Sequence, residues 1–254
     1  MVSNKRITVN VHIEKTAGTS LLQFFEYTLG RNRIAFYDPT TDRIIKVSDL
    51  FLSPSNGFVD TFQLKSYAFW PYIKKAYFGI QTVKRQKNSI PNNIAVIHGH
   101  FKADRFDTLL PNAINTVVIR DPLKRMHSQY DHWKRAKGRS QWRVMVPYDP
   151  RMTFEQYAML PIMQNYQVQA CAGKDLKSFT VVGITERLDM FTKTLYSLFV
   201  SEGYIPYTVP FNGIKNMNQH RNTHEIKTNG FEKAFYLFHK DDYDLYEQAK
   251  SLVK

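Results

Sequence analysis

Residues 7–22, ITVNVHIEKTAGTSLL, decide the expected fold of this chain. The first half is a β-branched run of the kind that forms a buried strand, and the second half passes through small residues into an apolar-periodic helix. Lys15 and Gly18 lie in the turn between the two halves. In such a turn, successive N–H groups and the positive end of the helix dipole attract phosphate. The segment therefore predicts a strand, a phosphate-binding loop and a helix.

The order of residues in this loop differs from that of the ATP-type loop, GxxxxGK[ST]. Here Lys15 precedes Gly18, and no Ser or Thr follows a Gly-Lys pair to hold magnesium. Lys15 supplies a mobile positive charge, and Thr19 and Ser20 supply hydroxyls or cap the helix. Taken alone, the segment leaves open an ordinary capped turn with an incidental lysine.

Composition favours a polyanionic partner. The chain has 35 Lys and Arg against 22 Asp and Glu, a formal net charge of +13, although its dispersed basic clusters also suit solvated helix faces.

With 254 residues, 43% of them hydrophobic, one large domain with its own core is expected. Cys171 is the single cysteine, so no internal disulfide or cysteine-based zinc site can form. We expect a cytoplasmic protein with no membrane span, since no long apolar segment is present.

Strand-like and helix-like segments alternate along the chain. Strands are predicted at residues 7–13, 34–37, 94–98, 116–120 and 180–184, and helices at 19–29, 122–136, 154–159, 187–200, 231–238 and 243–253. This order predicts a single α/β domain over residues 1–254, with a central parallel sheet flanked by helices in a P-loop-type, three-layer fold. An aromatic-rich stretch at about 49–92 interrupts the alternation and is predicted to be a helical insertion. Two interpretations are open: the insertion covers the site, or its aromatics pack a helical layer, which is favoured for most of them.

A second anion-directed motif follows the fourth predicted strand. Asp121 and Pro122 are typical of an N-cap and a first helical residue. Arg120 at the strand end and Ser128 two turns into the helix are placed to face one anion, and the planar fork of arginine suits phosphate.

Histidines cluster after the third predicted strand. Alternation places His98 and His100 on one side if the strand continues, an arrangement that would also suit a metal pair. No third ligand is apparent, and His12 is the nearest candidate by topology. His220 and His224 stand in a polar, loop-like segment and are expected at the surface.

These motifs together resemble a known family. The run HIEKTAGTSL resembles the 5′-phosphosulfate loop, HxPKTxGTSL, of the carbohydrate sulfotransferases related to heparan sulfate 2-O- and 6-O-sulfotransferases, with Glu14 where the family commonly has Pro. Residues 120–130, RDPLKRMHSQY, match the family's 3′-phosphate motif, Arg-Asp-Pro-x-x-Arg-x-x-Ser-x-Tyr, at every fixed position. Residues 165–173 and 182–186 extend the resemblance to a helix containing Asn-x-Gln and a strand ending in Gly-x-Thr-Glu.

The resemblance implies a metal-independent enzyme that transfers a sulfuryl group from 3′-phosphoadenosine 5′-phosphosulfate (PAPS) to a carbohydrate hydroxyl and releases adenosine 3′,5′-bisphosphate (PAP). It implies a general base at His100, a structural role for His98 and a 3′-phosphate site at Arg120 and Ser128. A late basic loop closes over the nucleotide in the family, which makes Lys215 or Arg221 a candidate contact. The implied 5′-phosphosulfate site comprises Lys15, which is also catalytic, with Thr16, Ala17, Gly18, Thr19 and Ser20.

Two other functions remain open at this point. A P-loop kinase or NTPase would share the architecture but needs magnesium ligands, which the position of Lys15 disfavours. A basic nucleic-acid-binding module would explain the charge and the aromatic residues, although no recognition motif accompanies them.

Overall fold

The computed structural model describes residues 5–38, 43–48, 90–136, 146–205 and 230–253. Within these ranges a six-stranded mixed sheet has the order β3-β2-β4-β1-β5-β6. Its strands are β1 (Thr8–Val11), β2 (Ile34–Asp38), β3 (Arg43–Lys46), β4 (Val96–Gly99), β5 (Ile114–Ile119) and β6 (Val181–Ile184). The helices are α1 (Gly18–Leu29), α2 (Pro122–Ala136), α3 (Phe154–Ala158), α4 (Tyr166–Ala170), α5 (Leu188–Ser201), α6 (Phe231–Phe238) and α7 (Lys240–Leu252).

Strand β1 lies at the centre of the sheet, and its neighbours fix where the loops meet. It pairs in parallel with β4 on one side and β5 on the other, so that Val11 is level with Gly99 and Val117. The backbone N–H of His12 extends the first pairing by donating to the carbonyl of Gly99 at 2.9 Å. The loops that follow these three strands therefore begin side by side at the carboxyl ends of the strands, which is where ligands of α/β proteins bind.

Alternation along the strands divides the core between the two faces of the sheet. On one face, Val96 and Val118 pack against α1 and α5 in a cluster that includes Phe25 and Phe199. On the other, Ile97 and Val117 belong to a cluster that includes Tyr246 of α7. This arrangement of helix, sheet and helix is the three-layer α/β fold that the sequence predicts.

A buried histidine joins the C-terminal helices to the rest of the molecule. His239 is 1% exposed, and its Nδ1 accepts from the backbone N–H of Asn165 at 3.3 Å. Its Nε2–H therefore donates to the carbonyl of Ala158, at 2.9 Å. Burial lowers the pKa of His239 to about 4, so the ring is neutral near pH 7 and keeps both hydrogen bonds.

The five strands and six helices predicted from the sequence are all present, with ends shifted by up to three residues. The prediction missed β3, a short edge strand that pairs antiparallel with β2 and makes the sheet mixed rather than wholly parallel. The insertion predicted at about 49–92 falls largely outside the described residues, which omit 49–89.

Candidate functional site

The loop between β1 and α1 contains two non-glycine residues with positive φ. Lys15 and Ala17 both adopt left-handed conformations, with φ of 69° and 73°. For non-glycine residues this conformation costs about 1–2 kcal/mol each, so the surrounding structure must hold the loop in place. Helix α1 then begins at Gly18, and its first backbone N–H groups have no carbonyl partner within the helix.

The hydroxyl-bearing residues of the loop differ in burial and in hydrogen bonding. Thr16 is buried, and both its amide and its hydroxyl donate to the carbonyl of Ile13, at 3.3 and 2.8 Å. Thr19 is exposed and Ser20 is buried in the first turn of α1. Neither caps the helix, because the N-cap position belongs to Ala17 and has no side-chain hydrogen bond, so the capping alternative is wrong.

Glu14 connects the loop to two helices through its carboxylate. Its carboxylate is 7% exposed and accepts from Gln129 Nε2 of α2 at 2.6 Å and from the Tyr166 hydroxyl of α4 at 3.4 Å. Gln129 is the neighbour of Ser128, so this contact joins the loop to the helical turn that carries the second motif. Sequence reasoning gave Glu14 no role of its own.

The imidazole of His12 lies directly against Gly18. A Cβ added at Gly18 would come within 1.8 Å of His12 Nε2 and 1.9 Å of Cε1. Glycine is therefore required here because a ring from the end of β1 fills the space that a side chain would occupy.

We expect Gly18→Ala to lower the free energy of unfolding by about 1–3 kcal/mol, the usual cost of overpacking, as measured by urea denaturation. In a His12→Ala background the same substitution should cost much less, since the ring it meets is gone. Equal costs in both backgrounds would contradict this steric explanation.

Three histidines meet beside the loop. The His12 ring stacks on His98 at a centroid distance of 4.8 Å and an interplanar angle of 14°. It also contacts His100 at 4.2 Å and 31°. Stacked rings contact one another through their faces, so their nitrogens do not point toward a common metal position. No group of three or more His, Cys, Asp or Glu able to hold a metal ion occurs among the described residues.

His98 is fixed by a buried chain of hydrogen bonds. Its Nδ1 lies 2.7 Å from Asn10 Oδ1, and Asn10 Nδ2 donates to Thr116 Oγ1 at 2.8 Å. The amide oxygen of Asn10 accepts, so His98 carries its proton on Nδ1. Burial, followed by the charge on His100, lowers the pKa of His98 to about 3.

His100 lies beyond the end of β4 and is partly exposed. Burial lowers its pKa below the ordinary 6.5, while the carboxylate of Glu14 and a hydrogen bond to the His12 backbone oppose that shift. The pKa of His12 is also well below 6.5, because of burial and the charges of His100, His98 and Lys15. All three rings are therefore neutral near pH 7.

Arg120 brings the second motif into contact with the loop between β1 and α1. Its Nη1–H donates to the carbonyl of Lys15 at 2.9 Å, across the boundary between β5 and β1. Burial lowers the pKa of its guanidinium and the carboxylates of Glu186 and Asp121 oppose that effect, but arginine remains charged in any case.

Helix α2 begins as the sequence predicts. Its first residue is Pro122, and Asp121 Oδ1 accepts from the backbone N–H of Lys124 at 2.8 Å, as an N-cap does. Ser128 is half-buried on this helix, three residues beyond the fully buried Arg125 and thus on a similar side.

Sequence reasoning also overlooked the individual role of Gln167. Its side chain is fully buried and exchanges two hydrogen bonds with the backbone of Arg120, at 3.0 and 2.9 Å. Nearby Cys171 is 1% exposed, which confirms it as a small buried apolar residue. The remaining candidates, Lys215, His220, Arg221 and His224, lie outside the described residues.

Comparisons with known proteins find similarity at the level of structure. No protein-family model matches the chain, and no curated protein matches it. A sulfotransferase from Alicyclobacillus acidocaldarius, known from a crystal structure, is 16% identical and aligns over 98% of this chain and 96% of its own, with a TM-score of 0.44. Within the described ranges, no helix is both long enough and apolar enough to cross a membrane.

Proposed function

We propose that this protein is a metal-independent sulfotransferase that moves a sulfuryl group from PAPS to a carbohydrate hydroxyl. The observation that carries the proposal is the hydrogen bond between Arg120 and Lys15, which joins two phosphate-directed motifs at one edge of the sheet. A donor with phosphate at both ends needs two such sites. The resemblance of both motifs to those of carbohydrate sulfotransferases supports the same conclusion.

Each residue has a distinct part in the proposed transfer. The acceptor oxygen bonds to sulfur as the bond from sulfur to the bridging oxygen breaks, the acceptor proton passes to His100, and PAP leaves. Lys15 and the amides at the start of α1 neutralise charge that develops on the bridging oxygen. Arg120 and Ser128 hold the remote 3′-phosphate, and the binding energy gained there positions the donor for attack.

The histidine cluster supports the choice of base. A general base must be neutral at the working pH and must reach the acceptor. His98 is 2% exposed, whereas His100 is partly exposed beyond the end of β4.

The proposal predicts that the protein binds PAP in the presence of a chelator. Lys15, Arg120 and backbone amides supply the positive charge, so EDTA should leave the PAP-induced rise in Tm unchanged. At a PAP concentration 100 times Kd, stabilisation of about 2.7 kcal/mol is expected, which a thermal-shift assay detects readily.

The same assay separates the competing functions. ATP with magnesium should stabilise a P-loop kinase, and an oligonucleotide should stabilise a nucleic-acid-binding protein. Strict dependence of nucleotide binding on magnesium would contradict the proposal. For the acceptor, radiolabelled donor sulfate should be transferred to a polysaccharide within a panel that also contains small metabolites, lipids and protein.

A further inference from the structure

The side chain of Arg120 contacts the backbone of the loop between β1 and α1. Its Nη1–H bonds the carbonyl of Lys15, and Lys15 has the left-handed φ of 69°. That carbonyl belongs to the peptide that links Lys15 to Thr16, within the turn that shapes the loop. Arg120 therefore helps to hold a strained part of the loop from outside the loop's own sequence.

The backbone of Arg120 is itself held in place from α4 and α7. Gln167 Oε1 accepts from the Arg120 N–H at 3.0 Å, and Gln167 Nε2 donates to the Arg120 carbonyl at 2.9 Å. The fully buried carboxylate of Asp242 accepts in turn from the backbone N–H groups of Gln167 and Val168, at 3.3 and 2.9 Å. A continuous chain of hydrogen bonds thus runs from α7 to Lys15.

A guanidinium group can serve two oxygen acceptors at once. It carries five N–H groups in a rigid plane, and the bond to Lys15 uses one of them. Its fork can bind a phosphate through another edge while the first bond remains. A lysine, which is a point charge on a flexible stem, could not fix the angle between the two contacts.

We propose that Arg120 couples the two phosphate sites, holding the Lys15 loop for the 5′-phosphate as well as binding the 3′-phosphate. This inference rests on the proposed function and deepens it. Because coupling between sites is reciprocal, a 3′-phosphate that orders the Arg120 side chain also favours the loop conformation that binds the 5′-group.

Two matched nucleotides test the coupling. 5′-AMP carries the 5′-phosphate alone, and PAP adds the 3′-phosphate to the same nucleoside. Titration calorimetry would give Kd for both nucleotides with the wild type, Arg120→Ala and Ser128→Ala. Gln169→Ala serves as a control, since Gln169 lies on the same helix as Gln167, is exposed, and its side chain donates to the nearby Gln164 carbonyl.

We expect Arg120→Ala to weaken binding of both 5′-AMP and PAP by about tenfold or more, the usual effect of losing a charge-assisted hydrogen bond. Ser128→Ala should weaken PAP alone, and Gln169→Ala should change neither. Arg120→Met, which keeps the aliphatic stem and removes every N–H, should repeat the result if the alanine variant does not fold.

An unchanged affinity for 5′-AMP in a folded Arg120 variant, with weaker PAP binding, would overturn the coupling and leave Arg120 as a reader of the 3′-phosphate. Absence of PAP binding to the wild-type protein would be a different result, and it would contradict the proposed function itself.

Discussion

Replacing His100 by alanine is expected to lower turnover by about 10²–10⁴-fold, the usual contribution of a general base, while leaving the Kd for PAP close to the wild-type value. The base acts on the acceptor proton and not on the donor phosphates, so chemistry and nucleotide binding should separate. Initial rates at saturating donor, compared with calorimetric titration of PAP, measure the two effects.

The pH profile gives a second measure of the same role. Burial lowers the pKa of His100 below 6.5, and a base is active only when it is deprotonated. Turnover should therefore be retained as the pH falls through 6.5 and decline only below that value, at the pKa of His100 in the enzyme–substrate complex. The His100→Ala variant should lose this acid limb.

His98→Ala is the matched control, since it removes a ring from the same cluster. Loss of its bond to Asn10 leaves buried polar groups without a partner, which should lower stability by about 1–3 kcal/mol with a smaller effect on turnover. Near-normal turnover of His100→Ala together with an inactive but folded His98→Ala would exchange the two roles. If neither variant loses activity, the base lies elsewhere.

Local patterns in the sequence predicted most of the fold for a physical reason. Residues 7–22 contain their own strand periodicity, turn residues and helix periodicity, so this unit needs no distant partner to be recognised. Strand β3 is different, because its four residues, RIIK, are all only partly buried and end in charged side chains. Its strand conformation comes from pairing with β2, which the local pattern does not encode.

The candidate site divides in the same way. The sequence predicted His98 and Arg120 at the ends of strands and Lys15 and His100 just beyond strands, but it did not show which strands are neighbours. The bond from Arg120 to Lys15 depends on the parallel pairing of β1 with β5, over 100 residues apart in sequence. The hydrogen bonds of Gln167 and Glu14 likewise exist only after the helices pack against the sheet and the loop.

Lys15→Ala should have the second largest effect, lowering turnover at saturating donor by about 10²–10³-fold, as does loss of one group that stabilises transition-state charge. Alanine and lysine both carry a Cβ, so the left-handed backbone at this position should cost similar strain in both proteins.

Lys102→Ala provides a matched control, because Lys102 is exposed just beyond His100 and its loss changes the net charge equally. Turnover of this variant should remain within about twofold of the wild type, as expected for a screened surface charge. Lys15→Arg restores the charge with different geometry and should recover only part of the lost rate. The contrary result would be weaker PAP binding by Lys15→Ala with unchanged turnover at saturating donor. The ammonium group would then stabilise the ground state and the transition state equally, and the catalytic role proposed for Lys15 would be contradicted.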